Sequence, residues 1–80
     1  MTDTAAAILA AYHNARCLRD SHWDNWKRTK AMYISAIDNH DFDIAESLEI
    51  ECKNLWEFYV HQLGIATGLA EALYIMGIEV

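Results

Sequence analysis

The 80-residue sequence contains no proline and only three glycines, all within its last seventeen residues. It also lacks the period-two alternation of polar and apolar residues that marks a half-buried strand. Proline breaks helices and glycine weakens them, so their scarcity leaves most of the chain free to be helical. Because linker-like and low-complexity tracts are missing as well, the sequence predicts one all-α domain over residues 1–80.

Cysteine is scarce too, and the two present are too few for a disulfide framework. No CxxC, no Glu-x-x-His and no glycine-rich phosphate loop occurs. His13 and Cys17 have the i, i+4 spacing of metal ligands, but they supply only two ligands. We therefore expect no metal, no cofactor and no catalytic residues, and hence a protein that is not an enzyme.

Basic residues are outnumbered, with six Lys and Arg against twelve Asp and Glu, a net charge of −6 and a pI near 4.9. This balance argues against nucleic acid as a partner. The N-terminus has an early Asp3 and no basic region, which is unlike a signal peptide. The apolar run Leu63–Val80 contains Glu71 and lacks basic flanks, which argues against a membrane helix. The expected location is the cytoplasm.

One turn signal divides the chain, Asp38-Asn39-His40-Asp41. Asp43 with Glu46 resembles a capping box, and Asp41 is an alternative cap. The sequence therefore predicts an antiparallel helical hairpin with helix 1 at about 4–38 and helix 2 at about 42–79. A second capping signal, Ser21 with Asp24, would permit a break near residue 20, although the pattern favours a continuous helix.

Apolar residues at steps of three and four predict which face of each helix is buried. In helix 2 the predicted seam is Ala45, Leu48, Cys52, Leu55, Tyr59, Ala66, Leu69, Leu73, Met76 and Val80, interrupted by Gln62. Helix 1 offers two neighbouring stripes. The seam assigned to it is Ile8, Ala11, Ala15, Leu18, His22, Asn25, Thr29, Met32 and Ala36, and the larger side chains Leu9, Tyr12, Arg16, Arg19, Trp23, Trp26, Lys30, Tyr33 and Ile37 lie beside it.

Two helices of about 36 residues would form a hairpin about 54 Å long, with too little interior for its apolar residues. The ends, 5–11 and 65–78, are apolar on nearly every side. Small residues in and next to them, among them Gly64 and Gly68, would allow close backbone contact. We expect a homodimer that forms a four-helix bundle. The alternative is a chain that kinks at Ser21 and Gly64 into a shorter monomeric bundle.

The basic residues are concentrated between Arg16 and Lys30, next to Trp23 and Trp26. In a hairpin centred near His40, residue i lies level with residue 80 − i. The simplest interpretation is that the cluster pairs with acidic residues of helix 2 at the same level. The basic residues are Lys27, Arg28 and Lys30, and the acidic ones are Glu49 and Glu51. Alternatively, the aromatic and basic residues form a binding face, since Trp and Arg dominate protein–protein hot spots.

Because the sequence contains no recognisable catalytic or cofactor-binding motif, the chain is best interpreted as a small acidic interaction protein. It would act as an adaptor or inhibitor that binds a larger protein. Acidic residues along helix 2, including Glu46 and Glu49, could occupy a basic groove of that partner. The alternative function is binding of an anionic small ligand such as a nucleotide through the aromatic and basic residues. The candidate residues for that ligand are Trp23, Trp26, Lys27, Arg28 and Lys30.

Overall fold

The computed structural model describes residues 2–80 and shows two antiparallel α-helices, α1 (Asp3–Asp38) and α2 (Phe42–Ile75). The all-α hairpin predicted from the sequence is confirmed. α1 runs without interruption through Ser21. Ser21 and Asp24 lie within the helix, and the N-cap of α1 is Thr2. α2 likewise passes through Gly64 unbroken, so the alternative of a kinked, shorter bundle is wrong.

Hydrogen bonds at the ends of α1 account for its limits. The backbone N–H of Ala5 donates to Oγ1 of Thr2, the N-cap residue, at 3.1 Å. At the other end the N–H of His40 donates to the carbonyl of Ile37 at 3.0 Å, and that of Asp41 donates to Ala36 at 2.8 Å. This is a Schellman ending, and it places His40 in the left-handed region with φ 59°.

The start of α2 at Phe42 agrees with the prediction, whereas its end does not. Asp41 is its N-cap but makes no capping hydrogen bond with its side chain, and Asp43 lies in the first turn instead of capping it. α2 ends at Ile75 and not near residue 79, because Gly77 adopts φ 78° and closes a second Schellman motif. The N–H groups of Gly77 and Ile78 donate to the carbonyls of Tyr74 and Leu73 at 3.0 and 2.9 Å.

The two helices pack in the predicted register, in which the numbers of facing residues add up to about 80. His22 stacks on Phe58, and Thr2 and Ile78 line the same depression at the open end. The seam of α2 is confirmed from Ala45 to Leu73, where each member is buried or half-buried. Beyond it, Met76 and Val80 are exposed, since the helix has already ended.

The predicted seam of α1 is wrong in part, because the buried line takes alternate residues from the two stripes. Its members are buried or half-buried and are Ala5, Ile8, Tyr12, Ala15, Arg19, His22, Trp26, Thr29, Tyr33 and Ala36. Ala11, Leu18 and Met32 are exposed instead. Alternating small and large residues allow the helices to approach closely while the gaps between them are filled.

One chain has a thin core. Among residues 2–80 its buried apolar residues are five alanines together with Leu48, Cys52 and Leu73. The hairpin measures 56 × 15 × 13 Å and has a radius of gyration of 17.3 Å, against about 12 Å for a compact domain of this length. Many large apolar side chains therefore remain exposed along its sides.

The glycines do not have the packing role predicted for them. A Cβ added at Gly64 or Gly68 would meet no atom within 4 Å, so neither residue marks a close backbone approach. The small residues that are buried towards this end of the hairpin include Ala5 and Ala66 instead. Within residues 2–80, neither helix has a stretch that is both long enough and apolar enough to cross a bilayer.

Candidate functional site

The most distinctive surface of the hairpin is an aromatic cluster made by Trp23, Trp26, Trp56 and Tyr59. The rings of Trp23 and Trp26 stack with centroids 5.2 Å apart, and Trp56 lies 5.3 Å from Trp26. Tyr59 completes the cluster at 5.2 Å from Trp23 and 5.4 Å from Trp56. Trp56 is 43% exposed, so the cluster reaches the surface. All three tryptophans of the chain belong to it.

Each helix contributes a pair of aromatic residues three apart, which places both members on one face. The register then brings Trp23 level with Trp56, whose ring centroids lie 6.4 Å apart. The sequence predicts Trp23 and Trp26 as site residues, but not Trp56 or Tyr59. The signal for Trp56 was present in the sequence, because residue 23 lies level with residue 57 in the predicted hairpin.

Only some of the basic residues predicted for this site lie close to the aromatic cluster. The Lys27 ammonium lies 5.9 Å from the centre of the Trp23 ring, at the edge of the cluster. Lys30 lies over the ring of Tyr33, 5.0 Å from its centroid and one turn nearer the hairpin loop. The guanidinium of Arg28 donates a hydrogen bond to Oδ1 of Asn25. Arg28 also lines a groove with Met32 and Glu51, away from the tryptophans.

The predicted charge match between the helices does not form. Among residues 2–80 both ion pairs lie within α1, Arg19 with Asp20 at 3.0 Å and Lys27 with Asp24 at 3.5 Å. A partner within one turn on the same helix is reached at a lower entropic cost than one across the seam, and exposed pairs are weak in either case. The register prediction is still sound, since Arg28 and Glu51 line one groove.

Glu46 and Glu49 are exposed on α2, on the loop side of the aromatic cluster. By the register Glu49 lies level with Lys30, but the two side chains form no ion pair. Both carboxylates therefore face solvent. They extend the surface that begins at the tryptophans towards the hairpin loop and give it a negative end.

A second surface, here called the apolar face, lies on the other flank of the hairpin. Trp56 and Phe58 are two residues apart and point about 200° away from each other around α2. The members of the apolar face are all exposed and are Leu18, Met32, Ile44, Phe58 and Ile65. Phe58 stacks on His22, with ring centroids 5.5 Å apart. Sequence reasoning missed this face, because Leu18 and Met32 were assigned to the internal seam.

The two cysteines lie in different surroundings. Cys17 is exposed, and Cys52 is buried in the seam, where burial raises the pKa of its thiol. Lys30 lowers that pKa by a smaller amount, and Glu51 adds a still smaller increase. Both cysteines are free. Over the part of the chain that the structure describes, no three His, Cys, Asp or Glu side chains lie together as metal ligands would.

Searches against models of protein families, against curated proteins and against solved structures returned no match.

Proposed function

We propose that this chain is a small acidic interaction protein without chemistry of its own. It binds a larger protein, as an adaptor or an inhibitor, and acts as a homodimer in a four-helix bundle. The observation that supports this proposal most directly is the aromatic cluster. Tryptophan and tyrosine dominate the binding energy of protein interfaces, and here four such residues from both helices form one partly exposed patch.

The charges around the cluster suit a protein partner. Lys27 stands at one edge, and Glu46 and Glu49 extend the patch with negative charge towards the loop. Polar and charged residues at the rim of an aromatic patch typify protein interfaces, where they guide orientation and association rate. A partner with an apolar pocket bordered by basic residues would complement this surface.

The alternative of an anionic small ligand has less support. Arg28 lies away from the tryptophans, and Lys27 is already paired with Asp24. The depressions that Lys27 and Arg28 line are shallow and open, whereas ligand pockets bury most of a small molecule. Of the basic groups predicted for the ligand, Arg28 thus lies away from the tryptophans, and Asp24 partly neutralises Lys27.

Affinity capture with the immobilised protein, followed by mass spectrometry, tests the proposed role. Trp56→Ala should reduce recovery of the specific partner at least about tenfold, since truncating a hot-spot residue costs about 2 kcal/mol or more. Tyr74→Ala is the control, because Tyr74 is an exposed aromatic residue of the same helix far from the cluster. Glu49→Lys tests the acidic end of the patch. Equal capture by Trp56→Ala, Glu49→Lys and the wild type would reject this surface.

Intrinsic fluorescence distinguishes the alternative, because every tryptophan of the chain lies in the cluster. A saturable change on titration with nucleoside mono-, di- and triphosphates would favour ligand binding. We expect no response across that panel.

A further inference from the structure

The apolar face has no cover within a single chain, since Leu18, Met32, Ile44, Phe58 and Ile65 are all exposed. We propose that a second copy of this chain packs on it, with α1 of one copy on α2 of the other and both hairpin loops at the same end. The two aromatic clusters then lie on opposite outer surfaces. This inference rests on the dimer proposed above and names its interface and its orientation.

The spacing of the face is that of a bundle interior. Leu18 and Met32 belong to one row with Asn25, at intervals of seven along α1. Ile44, Phe58 and Ile65 form the matching row on α2, which also includes Glu51. A helix in a four-helix bundle needs a third apolar position per heptad beside the two of its first seam. These rows supply it on both helices.

The opposite flank fits a second copy less well. It has two rows of residues at intervals of seven, one from residue 16 to 37 and one from 42 to 63. These rows contain three charged residues, Arg16, Lys30 and Glu49. The rows of the apolar face contain one, Glu51. Burying charges without partners opposes association, so the face with fewer of them is the better interior.

The exposed area of the chain exceeds that of a typical folded monomer by about the area that one such interface would bury. The hairpin exposes 5690 Å², whereas a folded monomer of 9.2 kDa exposes about 4900 Å². The excess, about 800 Å², equals what each partner buries in a stable interface of standard size. The flank itself, 56 Å by 15 Å, has about that area.

Charge decides between the two ways in which the hairpins can stack. α1 carries five basic and four acidic residues, and α2 carries one basic and six acidic residues. Stacking like helices would place two strongly acidic α2 helices side by side, whereas α1 on the partner's α2 places opposite charges together. In that orientation the levels of the hairpin are preserved, so Arg28 of one copy lies level with Glu51 of the other.

The mass in solution, measured by sedimentation equilibrium, tests the face. Wild type should have twice the 9.2 kDa of the chain. Ile44→Glu, which places a charge in the interface, should raise the dimer dissociation constant about 100-fold or more. The matched control is Ile34→Glu, because Ile34 and Ile44 are both 51% exposed and Ile34 points about 200° away from Met32 around α1, off the apolar face. We expect the control to change the constant less than about threefold. A monomeric wild type, or equal weakening by both variants, would overturn the proposal.

Spin labels at the hairpin loop test the orientation without disturbing the interface. A label is attached at Asn39→Cys in a Cys17→Ser, Cys52→Ala background that keeps the wild-type helicity and mass. Loops at the same end predict a distance between labels below about 30 Å, since packed helices lie 8–10 Å apart. Loops at opposite ends predict a distance near the 56 Å length of the hairpin and would overturn the orientation. Should Ile44→Glu lose its helicity, this measurement still decides the arrangement.

The two proposals fail separately. Loss of partner capture in Trp56→Ala with an unchanged dimer mass would support the binding patch, whatever the orientation of the bundle. Conversely, a dimer of the predicted geometry whose capture is unaffected by Trp56→Ala would leave the interface standing and reject the patch.

Discussion

At the scale of single residues, the least favourable backbone conformation belongs to His40. Its φ of 59° lies in the left-handed region, which costs a side chain about 1 kcal/mol and costs glycine almost nothing. We predict that His40→Gly raises the free energy of unfolding by about 0.5–1 kcal/mol. Urea denaturation at a fixed protein concentration measures this. Asn39→Gly is the control, because Asn39 has φ −87° and should only lose stability.

The two thiols give a second prediction at this scale. Cys17 is exposed and should react rapidly with a thiol reagent at pH 8. Cys52 is buried and its pKa is raised, so less of it is thiolate at that pH and its reaction should wait for opening of the helix pair. Labelling followed by peptide mass analysis should find Cys17 modified at least about ten times faster. Equal rates would contradict the placement of Cys52 in the seam.

At the scale of the helices, replacing glycine by alanine should have opposite effects on stability at two positions near the C-terminal end of the chain. Gly64 is helical and has open space at its Cβ position, so Gly64→Ala should stabilise the protein by about 0.5–1 kcal/mol. Gly77 has equally open space but φ 78°, so Gly77→Ala should destabilise it by about 1 kcal/mol. Thermal unfolding of the two variants measures the signs. A stabilising Gly77→Ala would mean that α2 continues beyond Ile75.

The seam offers a sharper comparison between neighbouring residues. Leu73 is 0% exposed, and Ile75, two residues later, is 83% exposed. Leu73→Ala should lower the free energy of unfolding by about 2–4 kcal/mol, because it leaves a cavity between the helices. Ile75→Ala should change it by less than about 0.5 kcal/mol. Urea denaturation of both variants checks this, and similar losses would indicate a different register for α2.

Local signals made the hairpin predictable, and competing ones hid parts of its packing. The Asp38–Asp41 turn and the single apolar stripe of α2 determine the helix pair and its register. α1 has two stripes of comparable quality, and the choice between them depends on which side chains α2 presents. The register places Trp56 level with Trp23, but the basic residues that indicate a binding face all lie on α1, so the pattern gives no separate signal for the aromatic residues of α2. The end at Gly77 depends on one left-handed residue inside an otherwise helical pattern.

At the scale of the whole molecule, the hairpin has two properties that a stable monomer rarely combines. It has a thin core made mainly of alanines, and it exposes large apolar residues along its sides, among them those of the apolar face. An interface that covers the apolar face would bury about 800 Å² of each chain in addition to the area that the seam of the single hairpin buries. Folding and association should then be one process, as they are in obligate homodimers.

The dependence of thermal stability on concentration follows from that coupling. When folding and dimerisation are linked, mass action makes the melting temperature rise with protein concentration. We predict that circular dichroism at 222 nm will show a rise of several degrees between micromolar and about 100-fold higher concentrations. Ile34→Glu should retain this dependence, and Ile44→Glu should lose it or melt at a lower temperature throughout. If the melting temperature of the wild type stayed constant over this range, a single hairpin would have to be stable with its apolar face in water.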